Sequence, residues 1–134
     1  MKQPEQTRRL LHKAGQDEAV MDALMGQTAI DDETFGFHAQ QAVEKLLKAW
    51  LSARGVDYPK THNLRAIVDL LTATGPPLPN DLKDVDSLTP YATIYRYEDV
   101  PVSGSFDQKQ VREQVRRVRA YVEGEIRKLR AVDT

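Results

Sequence analysis

The fold is decided by the sequence FGFHAQQAVEKLLKAWLSARG, which spans residues 35–55. Its large apolar side chains recur at steps of three and four, the spacing of a helix that buries one face. This apolar series consists of Phe37, Val43, Leu46, Leu47, Trp50 and Leu51. Asp31 and Asp32 stand where caps and first-turn acids are favoured, and Gly55 stands where a glycine ends a helix. The segment therefore predicts a long amphipathic helix that packs against other elements.

Helical periodicity also precedes and follows this segment. Before it, apolar residues between Leu10 and Met25 are spaced for a helix that Gly26 can end. After it, Pro59 interrupts the chain, so a third helix begins beyond it, capped by Thr61 or Asn63. The sequence thus predicts three helices in its first half.

The second half predicts one or two further helices. Asn80 or Asp81 starts a helix that runs through Leu88, and Thr89-Pro90 marks a kink or a fresh helix start. Asp107 caps a last helix with a narrow apolar seam. That seam consists of Val111, Val115, Val118, Val122, Ile126 and Leu129. The arginines between positions 112 and 119 are interpreted as mostly a solvated face.

The chain of 134 residues has the length of one domain, and we expect a single domain over residues 1–134 with its core at about 5–131. A Pro/Gly break at residues 75–79 and a loop at 97–106 interrupt the helices. No stretch is convincing as a strand. The prediction is an all-α, up-and-down bundle of four to five helices, with dimerisation as a natural way to bury more surface.

The net charge, the absence of cysteine and the lack of long apolar runs limit the classes of function that this chain can have. The formal net charge is −1, so any contact with nucleic acid must come from a local patch. The chain has no cysteine, which excludes disulfides and thiol catalysis. No apolar run approaches the roughly 18 residues needed to span a bilayer, and the first residues lack an apolar signal region. We therefore expect a cytoplasmic protein with no membrane contact.

Three stretches in this order and spacing resemble a known family. They are FHAQQAVEK at 37–45, THNL at 61–64, and LTPYA at 88–92 followed by RYED at 96–99. Together they resemble the HEPN domain, the helical partner of minimal nucleotidyltransferases in prokaryotes, and the resemblance covers roughly residues 5–131.

The resemblance implies a four- or five-helix bundle that forms a homodimer. It also implies a setting beside a minimal nucleotidyltransferase, as toxin and antitoxin. Some members of the family are metal-independent RNases. Others, including one at the end of a large human chaperone, are described as nucleotide-binding.

The RNase members of the wider superfamily carry arginine, then four to six residues, then histidine. Here three residues separate Arg8 from His12, and seven separate Arg54 from His62. The RNase signature is absent as written, so enzymatic activity stays an open question. Only His62 and Arg96 are retained as catalytic candidates.

A polar stripe on the 35–55 helix provides the first candidate site. His38, Gln41, Lys45 and Lys48 lie roughly along one face. The stripe is interpreted either as a nucleotide or phosphate site, or as a solvated face or polar seam that fixes helix register.

Two further segments carry candidate residues. His62 stands at a helix start, where it could cap the helix or accompany a phosphate at the helix N-terminus. Arg96 could grip a phosphate while neighbouring tyrosines stack a base, or it could pair with a carboxylate to lock the loop. The neighbours in this second segment are Tyr91, Tyr95, Tyr97 and Asp99.

The three histidines lie on separate elements, and no glycine-rich phosphate loop is present, so neither a metal nor another cofactor is expected. The leading hypothesis is a nucleotide-binding or partner-binding module that works with a minimal nucleotidyltransferase. The alternatives are a metal-independent RNase toxin, for which RNA is the substrate, and a helical scaffold without a ligand.

Overall fold

A computed structural model describes residues 4–92 and 106–133 of the chain. Within these residues the chain forms helices and no strand, which confirms the all-α bundle. The elements are α1 (Pro4–Leu24), α2 (Asp32–Ala53), α3 (Leu64–Thr74), a 3₁₀ helix (Asn80–Leu88) and α4 (Gln108–Asp133). The predicted loop at 97–106 lies outside the described residues except for Phe106.

Helix α2 is the centre of the bundle. Fifteen of its 22 residues are buried, and it packs against α1, α3, α4 and the 3₁₀ helix. Trp50 is buried, and the edge of its ring meets Tyr121 of α4, with the ring centroids 5.7 Å apart. The helix ends at Ala53, and Gly55 follows with a φ of 76°. The long amphipathic helix predicted from residues 35–55 is therefore present.

Helices α1 and α2 run antiparallel. The hydroxyl of Thr7, near the start of α1, donates to Ser52 near the end of α2. Asp17, farther along α1, contacts His38 near the start of α2. Gly15 does not interrupt α1, which is continuous through this position.

Helix α4 runs antiparallel to α1, and one buried and one partly buried arginine hold the two together. Arg112 donates to Glu18 and Asp22 of α1, while Arg119 donates to Glu18 and to the Leu11 carbonyl. The pKa of Asp22 is lowered chiefly by its hydrogen bond from Arg112. The interpretation of these arginines as a solvated face is wrong for Arg112 and Arg119, because carboxylates on the buried side of α1 draw them inward.

The segment between α2 and α3 runs back along α2. Helix α3 therefore begins beside the middle of α2 and ends beside Arg54. The side chain of Asn63 caps α3 by accepting hydrogen bonds from the Arg65 and Ala66 amides, as predicted. The guanidinium of Arg54 lies 4.3 Å from the Trp50 ring centroid and donates to the Leu71 carbonyl at 2.8 Å.

The fourth predicted helix forms as a 3₁₀ helix rather than an α-helix. It begins at Asn80, one of the two predicted starts, and Pro79 occupies its N-cap position without a side-chain cap hydrogen bond. Leu82, Val85 and Leu88 are three residues apart, and all three are buried. A 3₁₀ helix repeats every three residues, so this spacing places all of them on one face. The last predicted cap is present, since Asp107 accepts from the Gln110 amide at 3.1 Å.

The Tyr91 ring lies directly on the backbone of α2 at Gly36. A Cβ built on Gly36 would lie 2.5 Å from Cδ1 of Tyr91, well inside contact distance. We expect Gly36→Ala to lower the free energy of unfolding by about 1–3 kcal/mol, because the ring must move away. Urea denaturation measures this change.

Gly15→Ala is the matched control, because this glycine is also inside a helix. Its Cβ would meet only a side-chain nitrogen of Arg119 at 3.5 Å, an ordinary contact. We expect the control to be neutral or to stabilise by up to about 1 kcal/mol through helix propensity. Equal losses of stability in the two variants would contradict the packing of Tyr91 on α2.

Candidate functional site

One line of polar residues on α2 faces α1 and meets at Asp17. His38 Nδ1 lies 3.0 Å from one oxygen of the Asp17 carboxylate, and Lys45 Nζ donates to the other at 2.5 Å. Asp17 is buried, with 8% of its surface exposed. Two predicted site residues, His38 and Lys45, thus converge on one carboxylate, whose negative charge balances that of the lysine.

A second line of polar residues on α2 meets at the buried carboxylate of Glu44. Gln40 and Lys48 each donate to it at 2.9 Å, and His62 Nδ1 lies 2.8 Å away. Gln40 also donates to the His62 carbonyl at 3.1 Å, and Lys48 to the Thr61 carbonyl at 3.0 Å. These bonds fasten the segment before α3 to the middle of α2.

Burial alone would raise the pKa of the Glu44 carboxyl, because a charge loses solvation away from water. The hydrogen bonds from Lys48, Gln40 and His62 outweigh this effect and hold its pKa below the ordinary value. The folded protein therefore favours the ionised carboxylate, which can orient His62.

The His62 ring is fixed on one side and open on the other. Its side chain is 61% exposed although Nδ1 contacts buried Glu44. Its Nε2 makes no hydrogen bond to any residue that the structure describes, so this nitrogen is available to a ligand. An ionised carboxylate only accepts hydrogen bonds, so it selects the ring form with a proton on Nδ1. The capping role considered for His62 is wrong, since Asn63 performs it.

The N-terminus of α3 offers no ready anion site. Its first amide, that of Leu64, donates to the Thr89 hydroxyl at 3.1 Å, and the next two donate to the Asn63 side chain. A phosphate would have to displace these bonds. Any phosphate contact here must use side chains.

Gln41 lies between the two polar lines. Its side-chain amide donates to the side-chain oxygen of Gln40 at 2.6 Å, and the residue is partly exposed. The predicted stripe of His38, Gln41, Lys45 and Lys48 is therefore divided: two members bind Asp17, one binds Glu44, and Gln41 remains between them. Within the described chain the stripe is largely a polar seam, the second of its two interpretations.

The sequence analysis missed Asp17 as the partner of the stripe. A signal was present, because Asp17 shares the spacing of Ala14 and Met21, which are fully buried on α1. A carboxylate on the buried face of a helix requires donors from its neighbour. His38 and Lys45, seven residues apart on α2, supply those donors.

Tyr91 lies at the start of α2, with its ring edge on Phe106 and the two centroids 5.7 Å apart. Gly36 beneath it is four residues before Gln40, so Tyr91 and the His62 segment meet the same side of α2. Burial, together with Glu33 and Asp32, raises the pKa of the Tyr91 phenol. Its hydroxyl therefore keeps its proton and can donate a hydrogen bond. The other predicted residues, Tyr95, Arg96, Tyr97 and Asp99, lie outside the described residues.

The described residues contain neither a metal-binding group nor a membrane-spanning helix. Among them, no three His, Asp or Glu side chains are grouped so that they could hold a metal ion. None of their helices is both long and apolar enough to cross a membrane.

The lowered pKa of Glu44 predicts a pH dependence of stability. A carboxyl with a depressed pKa stabilises the fold above its ordinary pKa, and this contribution is lost as the pH falls through the folded-state value. We expect Glu44→Gln to lower the free energy of unfolding at pH 7 by about 3 kcal/mol, because Lys48 is left buried without its partner. The variant should also lose less stability than the wild type between about pH 7 and pH 3.

Urea denaturation at several pH values measures both effects. Glu113→Gln serves as control, because its side chain is 57% exposed and its ion pair with Arg116 lies on the surface. Identical pH profiles for the wild type and Glu44→Gln would contradict the role given to this carboxylate.

Of the comparisons with known proteins, the one with protein-family models gives a match. The family model of the HEPN domain matches residues 7–127, which include most of α1, all of α2, α3 and the 3₁₀ helix, and most of α4. No curated protein and no solved structure matches significantly. Because the family model covers most of the chain, the protein belongs to the HEPN family, a family of nucleotide- and RNA-related modules.

Proposed function

We propose that the protein is a nucleotide-binding HEPN module whose phosphate contact is made by His62. The observation that carries this proposal is the exposed imidazole held by the buried Glu44 carboxylate at 2.8 Å. A buried carboxylate that fixes an exposed imidazole orients its second nitrogen toward solvent, where a ligand can approach.

The surroundings of His62 suit an anion. Lys60, two residues earlier, is exposed and has no ion-pair partner among the described residues. When His62 is protonated, Nε2 donates to a phosphate oxygen while Glu44 balances the charge on the ring. Hydrogen bonds from charged groups contribute about 1.5–3 kcal/mol, so this contact can carry a measurable share of the affinity.

The remaining predicted residues complete the proposed site. Tyr91 meets the same side of α2 as the His62 segment and stays protonated. Tyr95, Arg96, Tyr97 and Asp99 follow Tyr91 in the chain, and we assign them to the base and to further phosphate contacts. We also assign Gln41 to this site, because its side chain bonds the side chain of Gln40 beside the Glu44 cluster.

Calorimetric titration with ATP and GTP tests this proposal. We expect His62→Ala to weaken binding of the preferred nucleotide about 10- to 100-fold, which corresponds to the loss of one charged hydrogen bond. His12→Ala is the control, since His12 is exposed on α1 and has no bonding partner among the described residues. The proposal fails if the wild type binds neither nucleotide at millimolar concentration, or if both variants lose equal affinity.

The partners belong to the same proposal. Family membership supports a homodimer and a minimal nucleotidyltransferase partner in a toxin–antitoxin setting. Sedimentation of the purified chain, alone and with that partner, should give a dimer and then a larger complex. A chain that stays monomeric at tens of micromolar and does not bind the nucleotidyltransferase would contradict both the homodimer and the partner.

A metal-independent RNase is the second candidate, and the Glu44–His62 pair favours it. The same pairing of imidazole and carboxylate serves general bases in hydrolytic enzymes. Here Nε2 would take the proton of a ribose 2′-hydroxyl, the ribose oxygen would attack phosphorus, and Arg96 would stabilise the phosphate charge. The leaving 5′ oxygen would take a proton from solvent.

Incubation of the wild type with RNA in EDTA tests this second candidate. The expected result is cleavage by the wild type and none by the Arg96→Ala, His62→Ala double variant. If the wild type cleaves no better than the double variant, the RNase candidate is rejected, whereas the nucleotide-binding proposal is unaffected.

A further inference from the structure

Exposed cations occur together on the first turns of α1 and the last turns of α4. They are the exposed residues Arg8, Arg9, His12, Lys13, Arg127 and Arg130, here called the basic band. Five of them are permanently charged, and Glu5 is the carboxylate paired with one of them. The band thus has a positive excess although the formal net charge of the chain is −1.

The antiparallel pairing of α1 and α4 brings the two parts of the band together. Arg119 reaches the Leu11 carbonyl at 3.1 Å, which fixes the register of the two helices. The turns of α4 after Arg119 therefore run alongside the first turns of α1. Arg130 comes three helical turns after Arg119, on the same line of α4, so it lies on the side that faces α1.

The α1 part of the band lies on the outer face of its helix. Thr7, Ala14 and Asp17 hold the opposite face of α1 against the bundle, where they are buried. Arg8, Arg9, His12 and Lys13 occur at the steps of one, three and four that cover the remaining face. The band is consequently separate from the two carboxylate clusters of α2.

The cations of the band are available to a ligand. Arg8 pairs with Glu5 on the surface, where 60% and 83% of the two side chains are exposed. Such an exposed pair adds little to stability, so a ligand can replace Glu5 as the partner of Arg8. The other band residues make no ion pair or hydrogen bond through their side chains within the described residues. By contrast, Arg112, Arg116, Arg117 and Arg119 all bind carboxylates.

We propose that the basic band binds the sugar-phosphate backbone of RNA without reading its sequence. Four of its five permanent charges are arginines, whose planar guanidinium matches phosphate geometry. A membrane surface fits less well, because Val132 is the one large apolar side chain exposed in the described chain and anchoring needs several. The choice of RNA over DNA rests on the second candidate function, the RNase, whereas the backbone contact rests on the band alone.

The test measures fluorescence anisotropy of a labelled single-stranded RNA 12-mer at several salt concentrations. The band variant is Arg127→Gln with Arg130→Gln. Removing two phosphate contacts should reduce the magnitude of the slope of log affinity against log salt by about 1.4, at about 0.7 per contact on a single strand. A DNA 12-mer of the same sequence is the second probe, and it should show the same change in slope.

The matched control is Arg116→Gln with Arg117→Gln. It removes the same two charges from exposed positions of the same helix, but these arginines are already paired with Glu113 and Asp81. We expect the control to keep the wild-type slope. Circular dichroism melts of both variants verify that they fold.

Three results would overturn the proposal. The first is no RNA binding by the wild type at low salt, and the second is an equal change of slope in the control. The third is displacement of the RNA by poly-glutamate as effectively as by unlabelled RNA of equal charge, which would assign the band to an acidic protein.

Nucleotide titrations separate this result from the proposed function. The band variant should keep the ATP or GTP affinity of the wild type, while His62→Ala should keep the RNA salt slope. If His62→Ala alone lowers the slope, the RNA contact belongs to the His62 site and the band assignment fails.

Discussion

The carboxylate of Glu44 loses most of its hydration in the middle of α2, a cost that only a full set of donors can offset. Gln40, Lys48 and His62 supply those donors. Two of them also bind the carbonyls of Thr61 and His62, so the same groups that satisfy the charge also fasten the chain before α3. The position of α3, and with it the packing of Thr89 on its first amide, depends on this buried charge.

Much of the fold could be predicted because it is encoded locally. The apolar spacing of residues 35–55 identifies the central helix, and the Asn63 and Asp107 caps mark where two others begin. The 3₁₀ helix shows the limit of such patterns. A three-residue apolar step fits an α-helix loosely and a 3₁₀ helix closely.

The site was harder to predict because its partners are distant in sequence. The stripe of His38, Lys45 and Lys48 suggests a row of free cations until Asp17, on another helix, is placed beside it. Backbone carbonyls that complete the Glu44 cluster have no sequence signature at all. The same reason explains Arg112 and Arg119, whose carboxylate partner Glu18 lies about a hundred positions earlier.

These contacts change where function is sought in this HEPN protein. Lys45 and Lys48 look free in the sequence but form ion pairs within the bundle. The exposed His62 ring and the basic band, in which only Arg8 has an ion pair among the described residues, remain open to ligands. The two surfaces suit different tasks: one oriented ring can recognise a single phosphate, and spread charges can hold a strand. Burial of Glu44 thus links the stability of the fold to the chemistry of His62.

Glu44 fixes the His62 ring through Nδ1, so that Nε2 faces solvent. Nitrogen-15 NMR of the histidine rings shows directly which ring nitrogen carries the proton. The spectra of the wild type and Glu44→Gln are compared at a pH high enough that the rings are neutral. We expect the wild type to carry its ring proton on Nδ1, with Nε2 unprotonated, and Glu44→Gln to shift the proton toward Nε2. A wild-type ring with its proton on Nε2, or one unchanged by the substitution, would contradict the account.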